Sequence, residues 1–189
     1  MLFEDDIRKA LITLRSGGVI LYPTDTVWGL GCDATNAAAV EKIFAIKSRN
    51  EAKSLIILVN NETMIERYVR EIPEIINQLI SVSDSPITII YPEGKNLAPG
   101  VCSEDGSVGI RICEEAFCSE LISRFRKPVV STSANLSGMP APHNFQAIDE
   151  KIIRSADYVV KYRQDDIQNF PASPIIKVEN NGVIKILRK

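Results

Sequence analysis

Three short stretches of this 189-residue chain carry side chains able to hold an anion. Thr24, Asp25 and Thr26 follow Pro23 and crowd three short polar groups behind the apolar run Val19–Tyr22. Gly29 and Gly31 come next, residues that let backbone approach a neighbour closely or turn with positive φ. Lys47, Arg49 and Lys53 form a basic segment that offers charge-assisted hydrogen bonds to phosphate or carboxylate. Ser131, Thr132, Ser133 and Asn135, ahead of Gly138, put hydroxyls and an amide after a second apolar run. That pattern presents several donors to one ligand. Each stretch also has a plainer use. Thr and Asp cap turns by bonding their own backbone, basic residues complement a helix C-terminus, and a serine-rich turn is a cap.

Other chemistries find fewer residues. His143 is the single histidine and sits in a Pro-rich loop with no Ser/Asp constellation around it, so no Ser-His or Cys-His nucleophile is indicated. No GxxxxGK[ST] phosphate loop is present. Cys32, Cys102, Cys113 and Cys118 contain no C-x-x-C pair, which fits a reducing compartment and argues against a zinc site of the usual type. Asp5-Asp6 and Asp165-Asp166 read as solvated carboxylates rather than a metal pair. The net charge of −2 argues against a protein whose main task is gripping nucleic acid through phosphates, while leaving room for a local basic patch. No apolar run reaches the ~18 residues of a membrane span. The segment Met1–Ala10 lacks the basic start and apolar stretch of a signal peptide. The expected location is cytoplasmic, with no membrane partner.

The elements that must position these groups follow from periodicity. The apolar fraction of 45% and charged fraction of 24% are those of an ordinary globule. A chain this long buries about 70% of its unfolded surface. Helical spacing covers Asp5–Arg15, a segment capped by Asn36 that ends at the basic stretch, Thr63–Arg70, Pro73–Val82, Glu115–Phe125 and Ala147–Arg154. Strands are expected at Val19–Tyr22, Leu55–Val59, Pro86–Tyr91, Val108–Ile112, Pro128–Thr132 and Tyr158–Lys161. Ile175–Glu179 and Val183–Leu187 flank Asn180-Asn181-Gly182, a hairpin signal. Helical crossovers mixed with hairpins predict one α/β domain around a twisted mixed sheet.

PTDTVWGLGCDA, the K-x-R of Lys47–Arg49, and STSANLSG resemble the threonylcarbamoyl-AMP synthase (YrdC-like) family, from about Gly17 to Arg188. PTDT together with SAN-x-SG at this separation is a specific combination. The resemblance implies an open twisted mixed sheet flanked by helices, with a large basic cavity, in the short single-domain form spanning 1–189. It implies synthesis of L-threonylcarbamoyladenylate from L-threonine, bicarbonate or CO2, and ATP, with release of pyrophosphate. The product would serve N6-threonylcarbamoyladenosine formation at tRNA position 37, through downstream tRNA threonylcarbamoyl transferase machinery. By the same resemblance Thr26, Arg111, Ser131 and Ser173 face threonine. Lys47 and Arg49 carry catalysis, and Arg49, Lys53, Ser107, Ser133, Asn135 and Arg188 face ATP. Mg2+ would accompany ATP with no protein ligand. Trp28 stands where the family usually has Tyr, Asn50 and Ser54 where it has Pro, and Ser85-Pro86 where a Gly-Pro pair is common. Ser173-Pro174 replaces a common Ser-Thr pair. Two rivals remain: an RNA-binding module that uses the basic cavity to contact RNA or tRNA without catalysis, and a carbamoyl transferase.

Overall fold

The computed structural model describes residues 3–47, 55–81, 83, 85–167, 171–179 and 182–188. Helix α1, Glu4–Arg15, places Ile7, Ala10, Leu11 and Leu14 on one buried face. The chain then enters β1, Ile20–Tyr22, and β2, Gly29–Gly31. Helix α2, Ala37–Lys47, starts where the Asn36 side-chain oxygen accepts from Ala39 N at 3.2 Å. Strand β3, Ile56–Val59, precedes two short helices, α3 at Glu62–Ile65 and α4 at Glu74–Ser81. Strands β4, Thr88–Tyr91, and β5, Val108–Ile112, lead to α5, Ala116–Phe125, and β6, Val129–Ser133. Helix α6, Glu150–Ser155, precedes β7, Tyr158–Val159, and the hairpin of β8, Ile175–Val178, with β9, Ile184–Arg188.

Among the described residues the strands form a nine-stranded sheet in the order β7-β1-β2-β6-β3-β5-β4-β8-β9. The pairs β1/β7, β3/β5 and β4/β8 are parallel and the rest antiparallel, as the mix of crossovers and hairpins predicts. Gly182, at φ 80°, donates to Glu179 O at 2.9 Å and closes the final hairpin.

Two readings change. Gly29 and Gly31 lie in a strand, not a loop, and neither has positive φ. The reason is close approach. A Cβ on Gly31 would stand 2.6 Å from both Tyr22 Cε1 and Val130 O, so the Tyr22 ring lies across β2, and its hydroxyl donates to Val130 O at 3.1 Å. A strand of Gly-Leu-Gly has no apolar alternation to reveal it. Asp6 is not a solvated carboxylate: it is buried and accepts from Lys161 N at 3.1 Å, Tyr162 N at 2.9 Å and the Tyr158 hydroxyl. It fastens α1 to the segment after β7.

The sheet register decides which face carries the polar groups. Ile56 pairs with both Ser131 and Gly109, and residues paired in register share a face. Two positions on, Arg111 points the same way, and so does Ser133 along β6. Ser131, Ser133 and Arg111 therefore project from one face, drawn from strands separated in sequence. The opposite face carries Ile57, Val59, Ile110, Ile112 and Val130, most of them fully buried.

Candidate active site

The centre of the polar face is Arg111, on the fourth position of β5, with a side chain only 4% exposed. Its Nη2 lies 2.9 Å from Asp25 Oδ1 and donates to Thr24 Oγ1 at 3.4 Å. Its Nη1 donates to Ser173 Oγ at 3.2 Å. Ser173 Oγ and Thr88 Oγ1 share a hydrogen bond at 2.8 Å. Arg188 donates from Nε at 2.9 Å and from Nη2 at 2.7 Å to the carbonyl of Ser173. Five segments thus meet around two guanidinium groups and one carboxylate.

The centre is not saturated. Arg111 Nε and Asp25 Oδ1 are buried and neither has a hydrogen-bond partner. Burial raises the Asp25 carboxyl above its ordinary value, and the Arg111 charge only partly opposes this. Burial also lowers Arg188, helped by repulsion from Arg111. Two positive groups this close, with one buried donor left over, favour an added carboxylate.

The Thr24–Thr26 stretch is both a turn and a wall. Thr24 Oγ1 accepts from Thr26 N at 3.0 Å and donates to Val27 O at 2.8 Å, as a capping turn would. Its contact with Thr26 Oγ1 is 3.1 Å. Both threonines are buried beside Trp28, whose ring centroid is 4.9 Å from that of Phe145. Arg163 holds the turn from outside, donating to Thr24 O at 3.0 Å. Exposed His143 lines a small cleft with Thr24 and Thr26.

A second cluster forms where α2 ends. Lys47 is buried, and its Nζ donates to Ser133 O at 2.5 Å, Asn135 O at 2.9 Å and Asn135 Oδ1 at 3.2 Å. In return Ser137 N donates to Lys47 O at 3.1 Å. The Ser133 hydroxyl also donates to Asn135 Oδ1, and the Asn135 amide donates to Met139 O. The end of α2 and the turn after β6 are therefore docked in both directions. An ammonium with three donors directed at one turn acts first as a clamp on that turn.

The residues expected from the sequence divide accordingly. Thr26, Arg111, Ser173 and Arg188 belong to the first cluster, Lys47, Ser133 and Asn135 to the second. Ser131, on β6 between them, puts its Oγ 3.2 Å from where a Cβ on Gly29 would lie. Ser107 is buried, and its hydroxyl donates to Asp105 at 2.5 Å, not toward Arg111. Lys177 pairs with the same Asp105 at 2.7 Å and, with Ser107, holds its carboxyl down at about 2. Arg49 and Lys53 lie outside the described residues. Thr24 and Asp25 belong to the candidate polar stretch without an assigned role, and Thr88 and Arg163 are additions that the sequence reading lacks. The polar run after Pro23 marks Thr24 and Asp25, but nothing local marks Thr88 or Arg163. Pro174 fits where it stands: its carbonyl accepts from Thr88 N at 3.0 Å just before β8.

Among the described residues no group of three His, Cys, Asp or Glu is placed to hold a metal. Among them, too, no helix is long and apolar enough to cross a membrane.

Known proteins share this fold. The profile of the family Sua5_yciO_yrdC, described as "Telomere recombination", matches residues 13–189. A protein of Stenotrophomonas maltophilia named threonylcarbamoyl-AMP synthase is 35% identical over 160 residues, covering 83% of this chain and 86% of that one. One of Blochmanniella pennsylvanica with the same name is 30% identical over 189 residues, covering 97% and 93%. The crystal structure of P. abyssi Sua5 complexed with L-threonine superposes with a TM-score of 0.86 at 26% identity, over 98% of this chain. This chain spans about half, 54%, of that Sua5 chain. E. coli YciO shares the fold, with a TM-score of 0.81 at 19% identity over 98% of this chain and 89% of that one.

Proposed function

This chain belongs to the Sua5_yciO_yrdC family, and we propose that it makes L-threonylcarbamoyladenylate from L-threonine, bicarbonate or CO2, and ATP, releasing pyrophosphate. One observation carries the reading at the level of geometry. Arg111 is a buried guanidinium with an unpaired donor, walled by the hydroxyls of Thr24 and Ser173. An amino-acid carboxylate is the ligand that completes it. P. abyssi Sua5 has been solved in complex with L-threonine, an amino acid that carries such a carboxylate.

In this reading Arg111 takes the carboxylate of threonine, with Ser173 and Ser131 at its sides. Thr26, steadied by Thr24, meets the substrate hydroxyl. A buried hydrogen bond to that hydroxyl discriminates far better than a methyl-sized hole, so serine is a poorer substrate and valine poorer still. Lys47 holds the Ser133–Asn135 turn that borders the nucleotide. Arg49, Lys53 and Arg188 meet the phosphates, and Ser107, just before β5, faces the nucleotide.

The reaction needs no side-chain nucleophile. The threonine amine loses a proton and joins CO2 to give a carbamate; with bicarbonate, one water leaves. A carbamate oxygen then bonds to the α-phosphorus of ATP, and the bond from that phosphorus to the bridging oxygen of pyrophosphate breaks. Holding the reactants in line lowers such a barrier by about 7–11 kcal/mol. Fixed cations stabilise charge growing on the leaving group. Mg2+, when bound together with the triphosphate, would screen its charge. The adenylate then passes to tRNA threonylcarbamoyl transferase machinery for modification of position 37.

The test is incubation with ATP, threonine and bicarbonate, scored by pyrophosphate. Release that requires threonine supports the reading. Tight RNA binding with no release supports the RNA-binding module, and turnover with carbamoyl phosphate the transferase. Arg49→Ala lowers threonine-dependent turnover by about 100-fold with the fold intact; near-normal turnover removes Arg49 from the site.

A further inference from the structure

Asp25 faces two ways. On one side it meets Arg111; on the other it lines a cavity of about 300 Å3 that the proposed reaction does not use. This cavity lies on the apolar face of the sheet, between strands β4 and β5 and the helices α3 and α4. Ile65, Ile80, Ile89, Tyr91, Ile110 and Ile112 supply most of its wall. Its size falls at the lower end of pockets that hold small organic ligands, about 300–1,000 Å3.

Its charged groups are all of one sign. Asp25 and Glu114 contribute carboxylates, Ser83 and Ser85 hydroxyls, and none of the lining residues is Lys, Arg or His. The Asp25 side chain is only 10% exposed, and its Oδ1 is buried without a hydrogen-bond partner although Arg111 Nη2 is 2.9 Å away. Glu114 and Asp25 repel each other, which adds to the effect of burial on Asp25. A buried carboxylate with one oxygen outside any hydrogen bond, facing an apolar space and a second carboxylate, is stabilised further by a cation that brings N–H groups. An anion entering the same space meets repulsion from both.

We propose that this cavity is a second ligand site, distinct from the threonine site, which takes a small primary amine on an apolar body, its ammonium at Asp25 and its body against the isoleucines. The ligand reaches Asp25 from the side opposite Arg111, so occupancy draws on the carboxylate that Arg111 also uses. The two sites share one residue and otherwise lie on opposite faces of the sheet.

Three probes of one shape separate the terms: phenethylamine, 2-phenylethanol and 3-phenylpropanoate. Each is titrated into the full chain labelled at isoleucine methyl groups, without ATP or threonine, and methyl NMR shifts are followed. Phenethylamine produces saturable shifts at Ile65, Ile89, Ile110 and Ile112. It binds about tenfold more tightly than 2-phenylethanol, and 3-phenylpropanoate does not bind. In Asp25→Asn the preference for amine over alcohol falls to about twofold or less, a tenfold ratio being about 1.4 kcal/mol. Equal binding of amine and alcohol to the unaltered chain, tighter binding of the anion, or no saturable shift at these methyls overturns the proposal. Because the three probes are compared on the unaltered chain, misfolding of the variant leaves the test intact. Threonine-dependent pyrophosphate release is unaffected by these outcomes, so failure here leaves the proposed reaction standing.

Discussion

Arg111 and Lys47 are both cations with almost no exposed surface, yet they are housed in opposite ways. Arg111 sits in the middle of the sheet beside a carboxylate, with hydroxyls around it and one donor unpaired. Lys47 sits at a helix end and directs its ammonium at two carbonyls and an amide oxygen of a single turn. The first is a centre with room for a ligand's charge. The second is a fastener whose donors hold protein to protein. A buried positive charge near a site is therefore poor evidence of ligand contact until its acceptors are named.

The largest effect belongs to Arg111→Met. It strands Asp25 as a buried carboxylate without its partner, and unfolding in urea shows a loss of about 3–5 kcal/mol. Adding Asp25→Asn to that variant recovers part of the loss, because the orphaned charge is gone; a purely additive double variant breaks the assignment of Arg111 as half of a coupled pair.

Lys47→Met comes next. It leaves the Ser133–Asn135 turn short of donors, at about 1–3 kcal/mol, and lowers kcat more than it raises the KM for threonine. A KM for threonine that rises alone would make Lys47 a ligand contact and erase the contrast with Arg111. Ser173→Ala removes a hydroxyl that links Thr88 to Arg111 and costs about 1 kcal/mol. Here the KM for threonine rises while the KM for ATP stays within about twofold.

The smallest effect comes from an exposed pair, which sets the floor of the scale. Lys177 and Ser107 hold the Asp105 carboxyl at about 2, below its ordinary 3.8. A depressed folded-state value means that the stabilisation is present above pH 3.8 and is lost as pH falls through about 2. In Lys177→Met this acid-dependent loss shrinks by no more than about 1 kcal/mol, the range of exposed pairs. Urea midpoints measured between pH 2 and pH 5 check it.

Most elements were legible because their signals are local. Apolar residues three and four apart mark α1 and α5, a continuous apolar run marks β3, apolar residues at alternate positions mark β5, and Asn36 marks the start of α2. Strand β2 was not legible, because Gly29 and Gly31 are explained only by the Tyr22 ring that lies over them. Asp6 misled for a related reason: an Asp-Asp pair at a helix start resembles a solvated cap, and its three donors come from residues more than 150 positions away.

The site divides along the same line. The chain's own order of residues determined which groups are available: a polar run after Pro23, a basic segment after α2, a serine-rich turn after β6, and one arginine inside an apolar strand. Local spacing also fixed the strand that carries Arg111, because alternation is a property of neighbouring residues. Only the tertiary structure decided what each group faces. The sheet order places β5 two strands from β6 and next to β4; the segment entering β8 then brings Ser173 to Arg111, and β9 brings Arg188 to the Ser173 carbonyl. Whether a buried cation meets a carboxylate or three carbonyls depends on which distant segment folds against it. Hydrogen bonds act over about 3 Å, and nothing short of the folded chain sets distances that fine between residues tens of positions apart.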